Sequence, residues 1–257
     1  MSSDVTDDAF LGGALRLLQP RSGYRAGVDA VLLAATVRMA PGRQETVLDV
    51  GAGVGTAGLS VARRLPEAEV VLIEREPELA ALAHQNVLRN SLEEDVRVVE
   101  GDLGLGEAAL SALGLMPDSF DHVLANPPFH STGRGTPAPH PLKSAAHAMA
   151  EDDLDAWARF MARMTAAHGT ATMIHKAEAV GRVLAAFAPR FGDIRVLPIL
   201  PRRGEAAIRV LVQGIKGSRA PLELLDGLVL HGESNRFTPE AEAILRGGAA
   251  LDLRAGD

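Results

Sequence analysis

Four consecutive residues, Asn126-Pro127-Pro128-Phe129, put a side-chain amide, two rigid rings and an aromatic face next to one another. As a bare turn, the two prolines would end a strand and remove two backbone donors. A turn needs neither the amide before them nor the aromatic after them. One chemistry does need both. The nitrogen of an exocyclic amine or an amide has its lone pair delocalised and is a poor nucleophile until its geometry is pulled towards tetrahedral. Two acceptors achieve that: the side-chain oxygen of Asn126 and the backbone carbonyl of Pro127 can each take one N–H and aim the recovered lone pair. Pro128 stiffens the segment, and Phe129 offers a face for an unpaired base, worth about 1 to 3 kcal/mol. No strong base is required, because the alkylated nitrogen sheds its proton readily, so neighbouring His130 and Asp121 are expected to be bystanders.

An electrophile must be held nearby. The run Asp49-Val50-Gly51-Ala52-Gly53-Val54-Gly55 lets the backbone turn sharply and approach a ligand closely. Gly53, Gly55 and Gly58 also satisfy G-x-G-x-x-G, which raises a dinucleotide reading. Asp49 separates the two: a carboxylate there repels a pyrophosphate but attracts the cationic ammonium and sulfonium of S-adenosylmethionine. Glu74 is placed to accept from ribose hydroxyls, and Asp102 from an adenine amino group, with Leu103 packing on the ring. Singly, each acid reads as a strand-end cap. Three in succession behind a glycine loop read as a nucleoside site, with S-adenosylmethionine as cofactor and S-adenosylhomocysteine as product.

Positioning these loops requires strands that end at them. Thr46 to Val50, Val70 to Glu74, Val96 to Glu100 and Phe120 to Ala125 are short β-branched runs, with helical stretches at Thr56 to Leu65 and Pro77 to Asn90. An apolar helix from Ala26 to Met39, with Asp29 as its cap, precedes them. Downstream the pattern predicts a helix over Asp152 to Ala167, a strand over Thr170 to His175 and a helix over Ala177 to Phe191. Two strands then follow, Ile194 to Leu200 and Ala207 to Gly214, with no helix between them. This alternation predicts an α/β fold: a Rossmann-like, mostly parallel sheet with helices on both faces and an antiparallel hairpin at its end. Gly133 to Pro141 reads as a mobile loop, and Pro239 to Leu245 as a short helix in the tail.

Composition narrows the setting. With 47% hydrophobic residues in 257, the chain can bury a sizeable core, and it contains no cysteine, which excludes disulfides and thiolate metal sites. No metal site is expected. The sequence lacks a long uncharged apolar run and a basic-then-apolar start, so a cytoplasmic protein without a membrane partner is expected. A net charge of -7 argues against indiscriminate nucleic-acid binding. Locally, Arg195, Arg202, Arg203, Arg209, Lys216 and Arg219 face only Glu205. They form either a basic patch or the solvated edge of two strands, and their grouping in space decides which.

Taken together, Gly27 to Leu33, Asp49 to Gly55, Glu74 to Glu76, Asp102 and Asn126 to Phe129 make the chain resemble class I S-adenosylmethionine-dependent methyltransferases. Within that class it is most similar to the bacterial enzymes that methylate adenine N6 beside the anticodon of valine tRNA. The resemblance, over about Tyr24 to Gly214, implies a seven-stranded sheet and cofactor contacts at Asp49, Gly51, Gly53, Glu74, Asp102 and Asn126. It also implies that Tyr24 to Asp29, Gly27 included, close over the cofactor, and that the partner is RNA, a tRNA first. Three parts are expected: an extension over 1–45 with the cofactor-capping helix, a catalytic domain over 46–220, and a tail over 221–257 packed on it. Glutamine-N5 methylation of a protein or guanine-N2 methylation of ribosomal RNA would use the same four residues, whereas a catalytically inactive cofactor-binding protein would not need Asn126.

Overall fold

The computed structural model describes residues 5–22, 25–40, 42–129, 154–233 and 235–254. Its strands are β1 (Val5–Phe10), β2 (Leu15–Pro20), β3 (Glu45–Val50), β4 (Ala68–Glu74), β5 (Val96–Glu100), β6 (Phe120–Ala125), β7 (Thr165–Lys176), β8 (Phe191–Leu200), β9 (Arg209–Lys216), β10 (Glu223–Leu224) and β11 (Leu228–Val229). The helices are α1 (Val28–Ala35), α2 (Thr56–Arg64), α3 (Pro77–Arg89), α4 (Glu107–Ala112), α5 (Leu154–Met164), α6 (Val180–Phe187) and α7 (Pro239–Leu245).

One mixed sheet organises the chain, in the order β10-β8-β9-β7-β6-β3-β4-β5, with β11 also on β8. β3 to β7 run parallel, and β9 lies antiparallel between β7 and β8, which makes the expected terminal hairpin. The count differs from seven: β10 and β11 add two residues each beyond β8. Helices α1, α2, α3 and α7 contribute to the core on one face of the sheet, and α4, α5 and α6 to that on the other. Buried β-branched strands between two helical layers explain why the central runs were so readable.

Boundaries shift where side chains intervene. α1 begins after Gly27 and stops at Ala35, where the Thr36 hydroxyl donates to the Leu33 carbonyl; Asp29 is not its cap but lies in its first turn. α5 ends at Met164, three residues short of the predicted end, because the Lys216 ammonium binds the carbonyls of Ala162 and Thr165 at its exit. The segment predicted as one helix over 177–191 is a 3-10 turn, then α6, then the start of β8 at Phe191.

The hairpin β1–β2 has no counterpart among the expected elements. Its outer edge is held by two amides one turn apart, on α3 and at its C-terminal cap: Asn86 accepts from Leu18 N and donates to Leu18 O (2.7 and 3.0 Å), while Asn90 does the same for Arg16 (3.0 and 2.9 Å). These side chains reproduce what a neighbouring strand would supply. Among the described residues no helix is long and apolar enough to cross a membrane. The predicted loop Gly133 to Pro141 lies outside the described residues.

Candidate active site

All the parallel strands deliver their carboxyl ends to one edge, and the loops after β3, β4, β5 and β6 meet there. The glycine loop leaves β3 with Gly51 at φ +66°, a left-handed conformation, and its N–H donates to the Ile73 carbonyl at 2.9 Å. A methyl group on Gly51 would come within 2.5 Å of the Trp157 ring of α5, so the indole can lie on the loop only because the residue is glycine. Gly58 serves packing instead: a Cβ there would meet Leu72 at 2.2 Å, which sets how closely α2 lies on the sheet.

Carboxylates stand around this loop. Asp49 is buried, and its Oδ2 accepts from Gly58 N at 2.8 Å. Burial, reinforced by the charge of Glu74, pushes its carboxyl up from 3.8 to about 7, against the opposing pull of the Gly58 N–H. Glu74 is oriented by three main-chain donors: Gly53 N at 2.7 Å, and Arg75 N and Glu76 N at 2.9 Å each. Three of about four acceptor positions on that carboxylate are thus engaged, fewer being left than two ribose hydroxyls would use. Asp102 is exposed at the mouth and accepts from Gly104 N at 2.7 Å.

Two cavities adjoin the loop. The larger, about 560 Å³, runs past Gly51, Gly53, Glu74, Asp102 and Leu103 and is walled by Trp157 and Phe160 of α5. The smaller lies between the glycine loop, Asp49, Gln19, Ala26 and Ala30. Asn126 lines both. The Thr56 hydroxyl, on the wall of the small cavity, is buried with no hydrogen-bond partner among the described residues. An acidic end with an idle hydroxyl, adjoining a longer apolar slot with acids along it, fits a charged amino acid joined to a nucleoside.

Other expected residues sit differently. Pro128 lines the large cavity, but Gly55, Pro127, Phe129 and Asp29 line neither; Gly27 lines a separate groove beside the hairpin. The Phe129 ring is T-shaped to His175, with centroids 4.9 Å apart, and the Arg209 guanidinium lies over it at 5.0 Å. It is therefore not a bare platform. Tyr24 and His130 lie outside the described residues. Asp121 is at the opposite edge of the sheet, bound to Thr46 and Arg43. Among the described residues no cluster could hold a metal ion.

The six basic residues do not share one face. Arg209 opens β9 at the site edge, while Lys216 closes it about 23 Å away, at 3.3 Å per residue. Arg195 is buried against Asp193 and Glu223, and Lys216 pairs with Asp118. Arg202 pairs with Glu205, and Arg203 and Arg219 are exposed.

Trp157, Phe160, Gln19 and Thr56 escaped the sequence reading. The first two face the site because α5, packed on β6 and β7, brings Trp157 against Gly51 and Phe160 to the same cavity wall. Gln19 carried a faint signal, a polar residue at an inward position of an alternating strand. Its Oε1 accepts from Ala26 N at 2.8 Å, pinning the hairpin to the entry of α1.

A family model described as "Methyltransferase small domain" matches residues 25–153. A tRNA1(Val) (adenine(37)-N6)-methyltransferase of Actinobacillus succinogenes is 25% identical over 86% of this chain and 88% of its own. A release factor glutamine methyltransferase of Deinococcus radiodurans is 34% identical, over 47% of this chain and 41% of its own. Among solved structures, a "predicted O-methyltransferase" of Agrobacterium tumefaciens is 33% identical with a TM-score of 0.73, covering 87% of this chain and 98% of that one.

Proposed function

The chain belongs to the methyltransferase small domain family and is an S-adenosylmethionine-dependent methyltransferase; from that premise we propose that it methylates N6 of an adenine in tRNA. The observation carrying this reading is Asn126, the polar side chain that lines both cavities, at the start of Asn126-Pro127-Pro128-Phe129. When bound, the cofactor supplies an electrophilic methyl carbon on a positively charged sulfur.

Asp49 and Thr56 would hold its amino-acid end, Glu74 one hydroxyl of its ribose, and Asp102 with Leu103 its base, while Gly51 and Gly53 give it room. Asn126 Oδ1 and the Pro127 carbonyl take the two hydrogens of the acceptor nitrogen and turn its lone pair towards that carbon. Preorganisation by two prolines means that little is lost in ordering these acceptors when the substrate arrives.

An oxygen acceptor, as in the name given to the Agrobacterium relative, has at most one hydrogen and would leave one of these two acceptors idle. A glutamine amide presents the same two hydrogens as an exocyclic amine. Against it stand a relative matched along most of both chains, whose name specifies adenine, and the aromatic Phe129 beside Arg209. In this reading 1–45 covers the cofactor and 221–257 supports the catalytic domain, and the enzyme works where tRNA does, in the cytoplasm.

Incubation with labelled donor and separate pools of tRNA, ribosomal RNA and protein, followed by mass analysis, tests the substrate; label in glutamine or guanine alone would refute it. Asn126→Ala should lower kcat at least a hundredfold while changing cofactor affinity less than threefold, a magnitude like that of removing one preorganised polar group from other sites. Unchanged turnover would remove the mechanism.

A further inference from the structure

We propose that Arg209, anchored by Asp29, positions the acceptor: its guanidinium and the Phe129 ring form a stacked cation–arene wall that holds a purine and offers a side-chain amide little. This deepens the nucleobase reading above and rests on it.

Arg209 reaches the site because β9 runs antiparallel, which brings its first residue to the edge where the parallel strands end, paired with Lys176. From there Nε donates to Asp29 Oδ2 of α1 at 2.7 Å, and Nη1 donates to the Ile208 carbonyl at 3.0 Å. Two anchors, one on α1 and one on the residue just before Arg209, fix the plane of the guanidinium before any substrate arrives, with Cζ 5.0 Å from the Phe129 centroid. His175 meets the same ring at 78°, so the aromatic is held as well.

The alternative role for an arginine here is a phosphate contact, and its pairing speaks against that. Asp29 neutralises the charge at close range, in a place where the two side chains are only 27% and 17% exposed. What remains is a flat, weakly hydrated surface on an aromatic ring, the kind of plane on which bases stack. The residues flanking the ion pair in sequence, Val28 and Ile208, are apolar yet 39% and 44% exposed, an apolar rim suited to a ring rather than to phosphate. Asp29 thus acts through Arg209 and lines neither cofactor cavity.

The test measures methyl transfer to an unmodified valine-tRNA transcript, its salt dependence, and donor affinity by calorimetry, for the wild type, Arg209→Gln and Arg209→Lys. Arg209→Lys keeps an ion pair with Asp29 and so a folded reference, but lacks the plane. Both variants should lose about tenfold in kcat/KM for RNA, keep donor affinity within twofold and keep the wild-type salt slope. Wild-type rates in either variant would overturn the proposal. So would a loss accompanied by a salt slope smaller by about one, which marks a phosphate contact. A wild-type enzyme that modifies glutamine peptides and no RNA would defeat the nucleobase reading itself, an outcome distinct from indifferent Arg209 variants on an active enzyme.

Discussion

Asp49 is caught between the fold and the ligand. Its carboxyl, raised from 3.8 to about 7 by burial and by Glu74, holds its proton more tightly in the folded chain than in the unfolded one. Stability of the ligand-free protein from this group therefore falls as pH rises from about 4 to about 7, where the unfolded state has already lost the proton. A bound ammonium group reverses the preference by favouring the ionised form. Cofactor binding near pH 6.5 should accordingly release a proton, and affinity should climb as pH rises towards about 7 and level above it. Calorimetry in buffers of differing ionisation heat measures this directly, and affinity flat over that rise with no proton release would contradict it. Asp49→Asn removes the buried charge, so at pH 8 the ligand-free variant should melt no lower than the parent while binding the cofactor at least tenfold more weakly.

At the scale of elements, the glycine loop and α5 act as one surface, because the indole of Trp157 rests where Gly51 has no side chain. Trp157 is the single tryptophan of the chain and lines the large cavity. Titration with S-adenosylhomocysteine should therefore change its emission, and Gly51→Ala should change it without any ligand. The added methyl must displace the ring from 2.5 Å and strain a backbone at φ +66°, so cofactor affinity should drop about tenfold or more. Unaltered emission in Gly51→Ala would show the indole is not seated on the loop. The strands feeding this surface were legible because buried parallel strands must be continuously apolar, and the acids and prolines ending them were legible as breaks in that pattern. The hairpin β1–β2 was not: Val5 to Phe10 carries two adjacent acids, and its partner at the outer edge is a pair of asparagine side chains, one on α3 and one at its C-terminal cap. Nor could spacing reveal Trp157 or the Asp29–Arg209 pair, each joining residues more than a hundred positions apart. Asn86 also donates to the Val54 carbonyl at 3.0 Å, so it ties that hairpin to the glycine loop. Asn86→Leu leaves Leu18 N and Val54 O without this partner, costing about 1 to 3 kcal/mol per buried group. Hydrogen exchange should find the hairpin opened in that variant while β3 to β6 keep their protection.

Across the whole molecule, the last segment of the chain closes over the first helix. Ile244, Leu245, Leu251 and Leu253 are buried in the core that α1 shares. Leu251 N donates to Ala35 O at 2.8 Å, and Arg64 bridges Ala34 O and Gly248 O at 2.7 and 2.9 Å. At about 1.5 to 3 kcal/mol for each large apolar side chain, these four account for about 6 to 12 kcal/mol, as much as the whole stability of a typical domain. Removing residues 236–257 should therefore abolish cooperative folding, and a milder lesion is more informative. Ile244→Ala leaves a cavity behind α1 at a cost of about 2 to 5 kcal/mol and should lower Tm by several degrees. Because α1 forms a wall of the smaller cavity through Ala30, loosening its back should also weaken cofactor binding a few-fold, with kcat at saturation unchanged. Equal affinity in a variant of clearly lower Tm would mean that the tail supports the fold and leaves the site alone, since a helix free to shift on its support cannot keep one wall of a pocket in place.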